Sequence, residues 1–371
     1  MKGVIQLYME QKKYPVVCII PSLNPDELFL ETVNKLIQVG FTDIIVVDDG
    51  SKPECKYYFT EAQKLGVIIL THEINKGKGA ALKTAFNYYL NHFDITYYKG
   101  IVTADADGQH LATDIRETAD RLINSNKNDM CMVLGTRDFS DKIVPFKSRN
   151  GNKITTVVFK LLFGKYINDT QTGLRGISNA FLEKCIHLKQ NRFEYEINML
   201  IEAVRNRIEI VEVPISTVYF DGNRETHFRP FADSFKIYSV MFRSFICYAG
   251  SGLISWIIDQ TLFYLLVNFA FKLTNHEMEI IFSTMIARLV SSLVNYSINR
   301  NYVFGKKDTE KTLLKYYVLC ISQMIISAGG VAALYYFSNI NSSILKIIVD
   351  TIIFFVNYRI QQAWVFKTKR E

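Results

Sequence analysis

The chain has 371 residues and a formal net charge of +7, from 43 Lys and Arg against 36 Asp and Glu. Its 49% apolar content excludes a disordered chain, and its 7 Pro and 19 Gly exclude a collagen-like one. Residues 1–230 carry 29 basic and 28 acidic side chains, whereas residues 231–371 carry 14 and 8. Because the basic excess lies in the apolar half, it argues against a nucleic-acid-binding surface. The difference in composition indicates that the two halves of the chain are exposed to different solvents.

The N-terminal residues 1–15 are polar and lack the apolar segment of a signal peptide. We therefore expect the first half to stay in the cytosol. The six cysteines are scattered singly, with no C-x-x-C pair or Cys/His cluster. This spacing predicts neither a zinc site nor a disulfide framework.

Residues 15–215 alternate short apolar runs with helical patterns. The runs predicted to be strands are 16–20, 44–47, 67–70, 100–103 and 130–134. The helical patterns between them cover 26–39, 53–65, 79–91 and 112–124. This alternation predicts an α/β fold with a mostly parallel sheet. Ligands of such sheets bind at the carboxyl ends of the strands.

Polar clusters follow three of these strands: PSLN from Pro21, DDGS from Asp48 and Asp49, and DADGQH from Asp105. In the last cluster, Asp105, Asp107 and Gln109 are spaced i, i+2, i+4. They can turn three oxygen ligands toward one Mg²⁺ or Mn²⁺, with diphosphate oxygens completing the shell. An isolated D-x-D is more often an ordinary acidic turn. Its place after a buried strand, together with the other two clusters, favours a metal site here.

The segment NKGKG, residues 75–79, opens a predicted helix. A helix N-terminus with two lysines favours phosphate binding, although a plain helix cap is the alternative interpretation. Neither the P-loop pattern nor the dinucleotide-binding glycine fingerprint is present.

The motifs IIPSLN, VVDDGS, NKGKGAALKTAF, TADADGQH, GTRDF, DTQTGLRG, RFEYEINML and EVPI occur in this order. Together they resemble family 2 glycosyltransferases of GT-A fold, over about residues 15–240. Within that family the sequence is similar to the polyprenyl-phosphate glycosyltransferases, such as dolichol-phosphate mannose synthase and GtrB-like enzymes. The resemblance implies metal-dependent, inverting transfer of one sugar from a nucleotide sugar to polyprenyl phosphate. The implied donor is UDP-linked glucose, N-acetylglucosamine or galactose. The implied acceptor is undecaprenyl phosphate, used at the cytoplasmic membrane face for cell-envelope glycan modification.

The resemblance also implies roles for individual residues. The nucleotide sugar would be held by Pro21, Asp48, Asp49, Lys76 and Asp105. Mg²⁺ or Mn²⁺ would be bound by Asp105, Asp107 and Gln109. Asp107 would act in catalysis, and three arginines would gather around the acceptor phosphate: Arg137, Arg149 and Arg224. Lys147 is an alternative to Arg149, and Leu23 and Pro25 stand where the family usually has Tyr and Glu.

Four apolar stretches follow residue 240, at 245–271, 280–304, 313–337 and 344–366. Each is long enough to cross a hydrocarbon core of about 30 Å. Basic side chains cluster after the second stretch and at the C-terminus, which predicts that both of these regions are cytoplasmic. The tail resembles the four-span GtrA-like family, implicated in moving lipid-linked sugars across membranes. Before it, residues 231–245 place aromatic side chains on one helical face and predict an interfacial amphipathic helix.

The tail contains an internal repeat. The pattern VNYSI followed by VF, at 294–304, recurs as VNYRI followed by VF at 356–366, an offset of 62 residues. Two helix pairs of the same orientation would produce such a parallel repeat. Arg288 and Asp350 precede the repeated Asn by seven residues, and Asp259 lies in the first span. We expect these charges to face the bundle, either as packing contacts or as a lining for a polar lipid headgroup. Pairing of Arg288 with Asp350 is the specific hypothesis.

Two further functions stay open. A lipid-linked sugar transporter or flippase, with the soluble half as supplier, would fit the fused tail. A processive polysaccharide synthase is less favoured because its Q-x-x-R-W motif does not occur in the sequence. Four spans per chain would also leave room for a homo-oligomer such as a tetramer.

Overall fold

The computed structural model describes residues 13–125, 130–139, 146–216, 230–270, 276–305, 311–338 and 340–366. The chain divides into two compact units, Met1–Met241 and Phe242–Glu371. This division falls inside the predicted interfacial segment.

The first unit is an α/β domain. Its strands are β1 Val16–Ser22, β2 Ile44–Asp48, β3 Ile68–Thr71, β4 Gly100–Thr103, β5 Cys131–Arg137, β6 Arg175–Ser178 and β7 Glu209–Ile215. Its helices are α1 Glu27–Gln38, α2 Lys56–Lys64, α3 Lys78–His92, α4 Ala112–Ser125, α5 Phe146–Phe163, α6 Asn179–Cys185 and α7 Glu194–Arg205. A 3₁₀ turn, Pro53–Cys55, precedes α2. The predicted α/β class is confirmed, and each of the five predicted strands matches one of β1 to β5.

Within the described residues, seven strands form one sheet in the order β3-β2-β1-β4-β6-β5-β7. All neighbouring pairs are parallel except those that involve β6. The order reverses at β1, which pairs with β2 on one side and β4 on the other. This reversal is a topological switch point, where open α/β sheets bind their ligands.

Helices cover both faces of the sheet. Its central strands are therefore buried on both sides, which explains their unbroken apolar sequences. Every residue of β2 and β4 is buried, as is all of β1 except Pro21. Phe29 and Val33 of α1 and Ile115 of α4 join these strands in one hydrophobic core. The core fixes the strand ends and the loops that follow them.

The second unit consists of long helices. Helix α8, Pro230–Leu265, begins in the first unit, and it is followed by α9 His276–Ile298, α10 Thr312–Ser338 and α11 Ser342–Ile360. Three of them have π-helical ends, at Leu266–Ala270, Asn299–Val303 and Gln361–Val365. Helix α8 is continuous through residues 231–245, so the predicted interfacial segment and the first apolar stretch form one helix. The interfacial position of that segment stays a prediction.

Among the described residues, three helices are long and apolar enough to cross a membrane: Ala232–Ala270, Met278–Val303 and Thr312–Ser338. The fourth predicted stretch forms α11 and the π-helical segment after it. Its 19 residues contain three charged side chains, Lys346, Asp350 and Arg359, which lower its mean hydropathy. A fourth crossing therefore stays a prediction, as does the orientation drawn from the basic clusters, several of which lie outside the described residues.

Equivalent residues in the two copies of the internal repeat contact each other. Asn299 Nδ2 donates to Gln361 Oε1 at 3.2 Å, and these positions are 62 residues apart. The rings of Phe304 and Phe366 stack with centroids 5.0 Å apart. The two copies of the repeat thus contact each other through equivalent residues, and their parallel orientation stays a prediction.

The charges within the helices pair differently from the hypothesis. Arg288 Nε lies 3.5 Å from Asp259 Oδ2, and Ser291 Oγ donates to the other oxygen of Asp259 at 3.0 Å. Asp350 lies 2.9 Å from Lys346 Nζ, one helical turn earlier on α11. The predicted Arg288–Asp350 pair is wrong, since each residue has a nearer partner of opposite charge. Asp259 is buried, but 72% of the Arg288 side chain is exposed, so the expectation that the charges face the bundle is wrong for Arg288.

Candidate active site

One edge of the sheet gathers the predicted site loops. The parallel strands β1, β2, β4 and β5 end there, and the antiparallel β6 begins there. In register, Ser22 lies beside Asp48 and Thr103 beside Arg175. The loops after β1, β2 and β4 therefore meet the loop that leads into β6.

Asp48, at the end of β2, is buried and hydrogen-bonded within its own turn. Its Oδ1 accepts from Ser51 N at 2.8 Å, and its Oδ2 pairs with Lys56 Nζ at 2.5 Å. Burial alone would raise the pKa of this carboxyl, but the bonds from Lys56 and Ser51 bring it below its ordinary value. Both oxygens thus have partners inside the protein, and the predicted contact with the nucleoside stays a prediction.

Asp49 anchors the NKGKG segment. Its Oδ1 accepts from Lys76 N at 2.9 Å and its Oδ2 from Gly77 N at 2.7 Å, while His72 Nδ1 lies 2.7 Å from Oδ1. Gly77 has a φ of +99°, which favours glycine. Asp49 therefore holds the turn that starts α3. The side chain of Lys76 is exposed on this turn, and Pro21 is half-buried in β1.

Asp105 lies in the loop after β4, beside Lys78 and His110. Lys78 Nζ is 2.7 Å from its Oδ1, and His110 Nε2 is 3.5 Å from its Oδ2. Burial alone would raise the pKa of the Asp105 carboxyl, but Lys78 and His110 hold it far below its usual range. Asp105 is therefore ionised, as a metal ligand must be.

Lys78 also contacts a second carboxylate, since its Nζ lies 2.9 Å from Glu196 Oε1. Burial alone would lower the pKa of the Lys78 ammonium, but Asp105 and Glu196 raise it above its ordinary value. Lys78 thus carries its charge between two acidic groups, one from the loop after β4 and one from α7.

Asp107 and Gln109 complete the predicted metal loop. Asp107 is exposed, and its Oδ1 accepts from Gln109 N at 3.0 Å. The surrounding protein partly shields the Asp107 carboxyl from water, which raises the pKa of this group. The nearby negative charge of Asp105 raises the same pKa further. Two carboxylates that repel each other are a setting in which a divalent cation is favourable.

The loop before β6 approaches Asp105 closely. A Cβ at Gly173 would lie 2.4 Å from Asp105 Oδ2, so any larger residue there would displace the Asp105 carboxylate. Within the described residues there is no cluster of three or more His, Cys, Asp or Glu side chains that could hold a metal ion. A hard cation here would be bound by Asp105, Asp107 and Gln109 with the remaining ligands from substrate or water. This oxygen donor set fits Mg²⁺ or Mn²⁺.

The predicted phosphate-binding arginines have different outcomes. Arg137, at the end of β5, binds Asp169 through two hydrogen bonds, from Nε at 2.6 Å and from Nη2 at 3.0 Å. Asp169 is fully buried, so this pair fixes the guanidinium at the same edge of the sheet. Arg149 is half-buried in the first turn of α5. Arg224 and the side chain of Lys147 lie outside the described residues. Binding of the acceptor phosphate by these groups stays a prediction.

Sequence reasoning gave no roles to three residues that shape this site, His72, Asp169 and Glu196, and it gave Lys78 only a general part in phosphate binding. Lys78, Asp169 and Glu196 lie within the motifs that carry the resemblance, but their partners are distant in sequence. Only the fold shows that Lys78 meets Glu196 and that Asp169 meets Arg137.

The sheet order, with an acidic D-x-D loop beside the switch point, defines a GT-A-like domain. In agreement, the family "Glycosyl transferase family 2" matches residues 17–197. The family "GtrA/DPMS, transmembrane domain" matches residues 247–366. The chain thus combines a glycosyltransferase domain with a transmembrane domain.

Similar proteins agree with this assignment. A UDP-N-acetylglucosamine–dolichyl-phosphate N-acetylglucosaminyltransferase of Methanococcus voltae is 34% identical over 224 residues, 55% of this chain and 86% of that protein. A dolichyl-phosphate beta-glucosyltransferase of Saccharomyces cerevisiae is 28% identical over 204 residues, 49% of this chain and 58% of that protein. The chain belongs to glycosyl transferase family 2 and is a membrane protein.

Among solved structures, mannosyl-3-phosphoglycerate synthase from Rubrobacter xylanophilus is 13% identical, with a TM-score of 0.46 over 62% of this chain and 74% of that one.

Proposed function

We propose that the chain transfers one sugar from a nucleotide sugar to the phosphate of a polyprenyl phosphate at the membrane surface. The observation that carries this proposal is the Asp105–Asp107 loop beside the lysine-bearing start of α3, in a chain that continues into a GtrA/DPMS transmembrane domain. The relatives from Methanococcus voltae and Saccharomyces cerevisiae bear names that specify dolichyl-phosphate glycosyltransferases. We extend that acceptor class to this chain.

A phosphate acceptor agrees with the groups at the site. A sugar hydroxyl needs a general base before it can attack. A phosphate monoester has a second pKa near 6 and is mostly dianionic at neutral pH. Its oxygen can attack the anomeric carbon directly, with inversion, as the diphosphate departs. The protein then has to position the acceptor and balance its charge.

Arg137 is suited to that task. Its guanidinium is held by Asp169 and is partly exposed, with 18% of the side chain accessible. A planar guanidinium can bind two phosphate oxygens at once. Arg149 and Arg224 are further groups for the same phosphate.

The donor diphosphate would bind between the D-x-D loop and the start of α3. Asp105, Asp107 and Gln109 would hold Mg²⁺ or Mn²⁺, which supplies charge stabilisation for the departing diphosphate. The backbone N–H groups at the start of α3 and the exposed Lys76 add positive potential on the other side. Pro21, Asp48 and Asp49 would lie near the nucleoside.

The donor is proposed to be a UDP-sugar, with glucose, N-acetylglucosamine or galactose as its sugar, and the acceptor undecaprenyl phosphate. A panel of UDP-sugars with undecaprenyl phosphate and Mn²⁺, tested on purified protein in detergent, examines both choices. We expect one of the three UDP-sugars to yield a lipid-linked sugar, and GDP-mannose to yield none. The donor assignment is wrong if only GDP-mannose reacts, and the proposal as a whole is wrong if no sugar nucleotide gives a lipid product.

A further inference from the structure

We propose that Lys78 is an exchangeable counter-ion of Asp105. In the metal-free protein it neutralises Asp105, and when a divalent cation binds Asp105, the ammonium is retained by Glu196. This inference rests on the proposed function in one respect, the assignment of Asp105 as a metal ligand. It adds two positioning residues, Lys78 and Glu196, to the proposed metal site.

The three groups form a compact arrangement in which Glu196 is buried and Lys78 and Asp105 are partly exposed. Lys78 Nζ lies 2.7 Å from Asp105 Oδ1 and 2.9 Å from Glu196 Oε1, and the exposed fractions of the Lys78, Asp105 and Glu196 side chains are 17%, 29% and 11%. An ammonium has three donors, so it can bind both carboxylates at once. A buried charge that loses one partner needs another. Glu196 provides that second partner without any movement of the backbone.

The position of Lys78 is fixed by its neighbours. Asp49 holds the backbone N–H groups of Lys76 and Gly77, immediately before it. On the other side, Ala80 N donates to Asn191 O at 2.9 Å, and a Cβ at Gly77 would lie 2.6 Å from the same oxygen. The start of α3 is thus bound to the segment that leads into α7. Lys78 therefore reaches Glu196 as readily as it reaches Asp105.

Electrostatics gives the two residues opposite effects on metal affinity. The Lys78 ammonium occupies the same carboxylate that the cation needs, so removal of Lys78 should strengthen cation binding. Glu196 draws the ammonium away from Asp105. When Glu196 becomes neutral, Asp105 is the only one of the two carboxylates that still attracts Lys78 by charge, and cation binding should weaken. General damage to the site would weaken binding in both variants.

The inference is tested by titrating the purified protein with Mn²⁺ alone, without nucleotide or turnover. The electron paramagnetic resonance signal of free Mn²⁺ reports how much of the cation has bound. We expect Lys78→Met to bind Mn²⁺ at least about fivefold more tightly and Glu196→Gln at least about fivefold more weakly. In the double variant, Glu196→Gln should have little further effect, because its influence acts through Lys78. Lys64→Met removes the same charge from an exposed side chain at the end of α2, outside the proposed site, and its Mn²⁺ affinity should stay within about twofold of the wild type.

Folding of each variant is checked by its melting temperature. The inference is overturned if folded Lys78→Met binds Mn²⁺ no better than the wild type. It is also overturned if Glu196→Gln weakens binding equally with and without Lys78. Asp105→Asn separates these outcomes from failure of the proposed function. If Asp105→Asn abolishes Mn²⁺ binding while the Lys78 and Glu196 variants bind Mn²⁺ with wild-type affinity, this inference alone is wrong. If the wild-type protein binds no Mn²⁺, the metal assignment is wrong as well.

Discussion

Replacement of Asp107 by Ala is expected to reduce sugar transfer at least about 100-fold, and excess Mn²⁺ should not restore it. Asp107 is the exposed carboxylate of the D-x-D loop, and Asp105 beside it is already engaged by Lys78 and His110. Without Asp107, a cation at this loop would lose a charged ligand that no other residue of the loop replaces. Initial rates with the reactive UDP-sugar and undecaprenyl phosphate, measured across a Mn²⁺ titration, provide the test.

Glu117→Ala is a matched control for this change. Glu117 is an exposed carboxylate on α4, the helix that follows the D-x-D loop, so the variant removes the same charge outside the proposed site. We expect its rate to stay within about twofold of the wild type. EDTA should inhibit the wild-type protein. Full activity of Asp107→Ala, or full activity of the wild type in EDTA, would refute the assignment of this loop as a metal site.

The second large effect is expected from Gly173→Ala, which adds one methyl group beside Asp105. That Cβ would lie 2.4 Å from Asp105 Oδ2 and 2.9 Å from its Oδ1. To make room for the methyl group, the carboxylate would have to move from its position beside Lys78 and His110. We expect transfer to fall at least about 100-fold, with a loss of about 1–3 kcal/mol in the free energy of unfolding. Initial rates, Mn²⁺ affinity and chemical denaturation measure these changes.

Gly151→Ala separates this effect from the general consequences of replacing a glycine. Gly151 lies in α5, and a Cβ there would meet nothing within 4 Å. Alanine favours the helix by up to about 1 kcal/mol, so this variant should be active and no less stable than the wild type. If Gly173→Ala is also fully active and binds Mn²⁺ normally, the position of Asp105 is not what the reaction requires.

The parts of the fold that sequence reasoning predicted are those with a local signal. Strands β1, β2 and β4 are almost wholly buried, so each gives an unbroken apolar run. Strand β6 has four residues and starts with Arg175, and β7 has exposed residues along its length. Neither gives such a run, and their places depend on pairing with strands distant in the chain. This is why the sheet class was predictable but its antiparallel member was not.

The same distinction applies to the site. The loops after β1, β2 and β4 were predictable, since parallel strands bring their carboxyl ends to one edge. The partners of individual side chains were not. Asp49 reads as a nucleotide contact, yet its oxygens bind the backbone of Lys76 and Gly77. Arg137 reads as a free phosphate ligand, yet it is paired with Asp169. In the second unit, Lys346 competes for Asp350 from the preceding turn of the same helix, a local contact that the repeat pattern concealed.

A direct comparison of two lipids tests whether the acceptor is a lipid phosphate. The purified protein is incubated with its UDP-sugar, Mn²⁺ and either undecaprenyl phosphate or undecaprenol, which lacks the phosphate. The masses of the lipid products are then measured by mass spectrometry. We expect one added sugar on undecaprenyl phosphate and no product from undecaprenol. Equal transfer to undecaprenol, or a ladder of products with several sugars on one lipid, would contradict it.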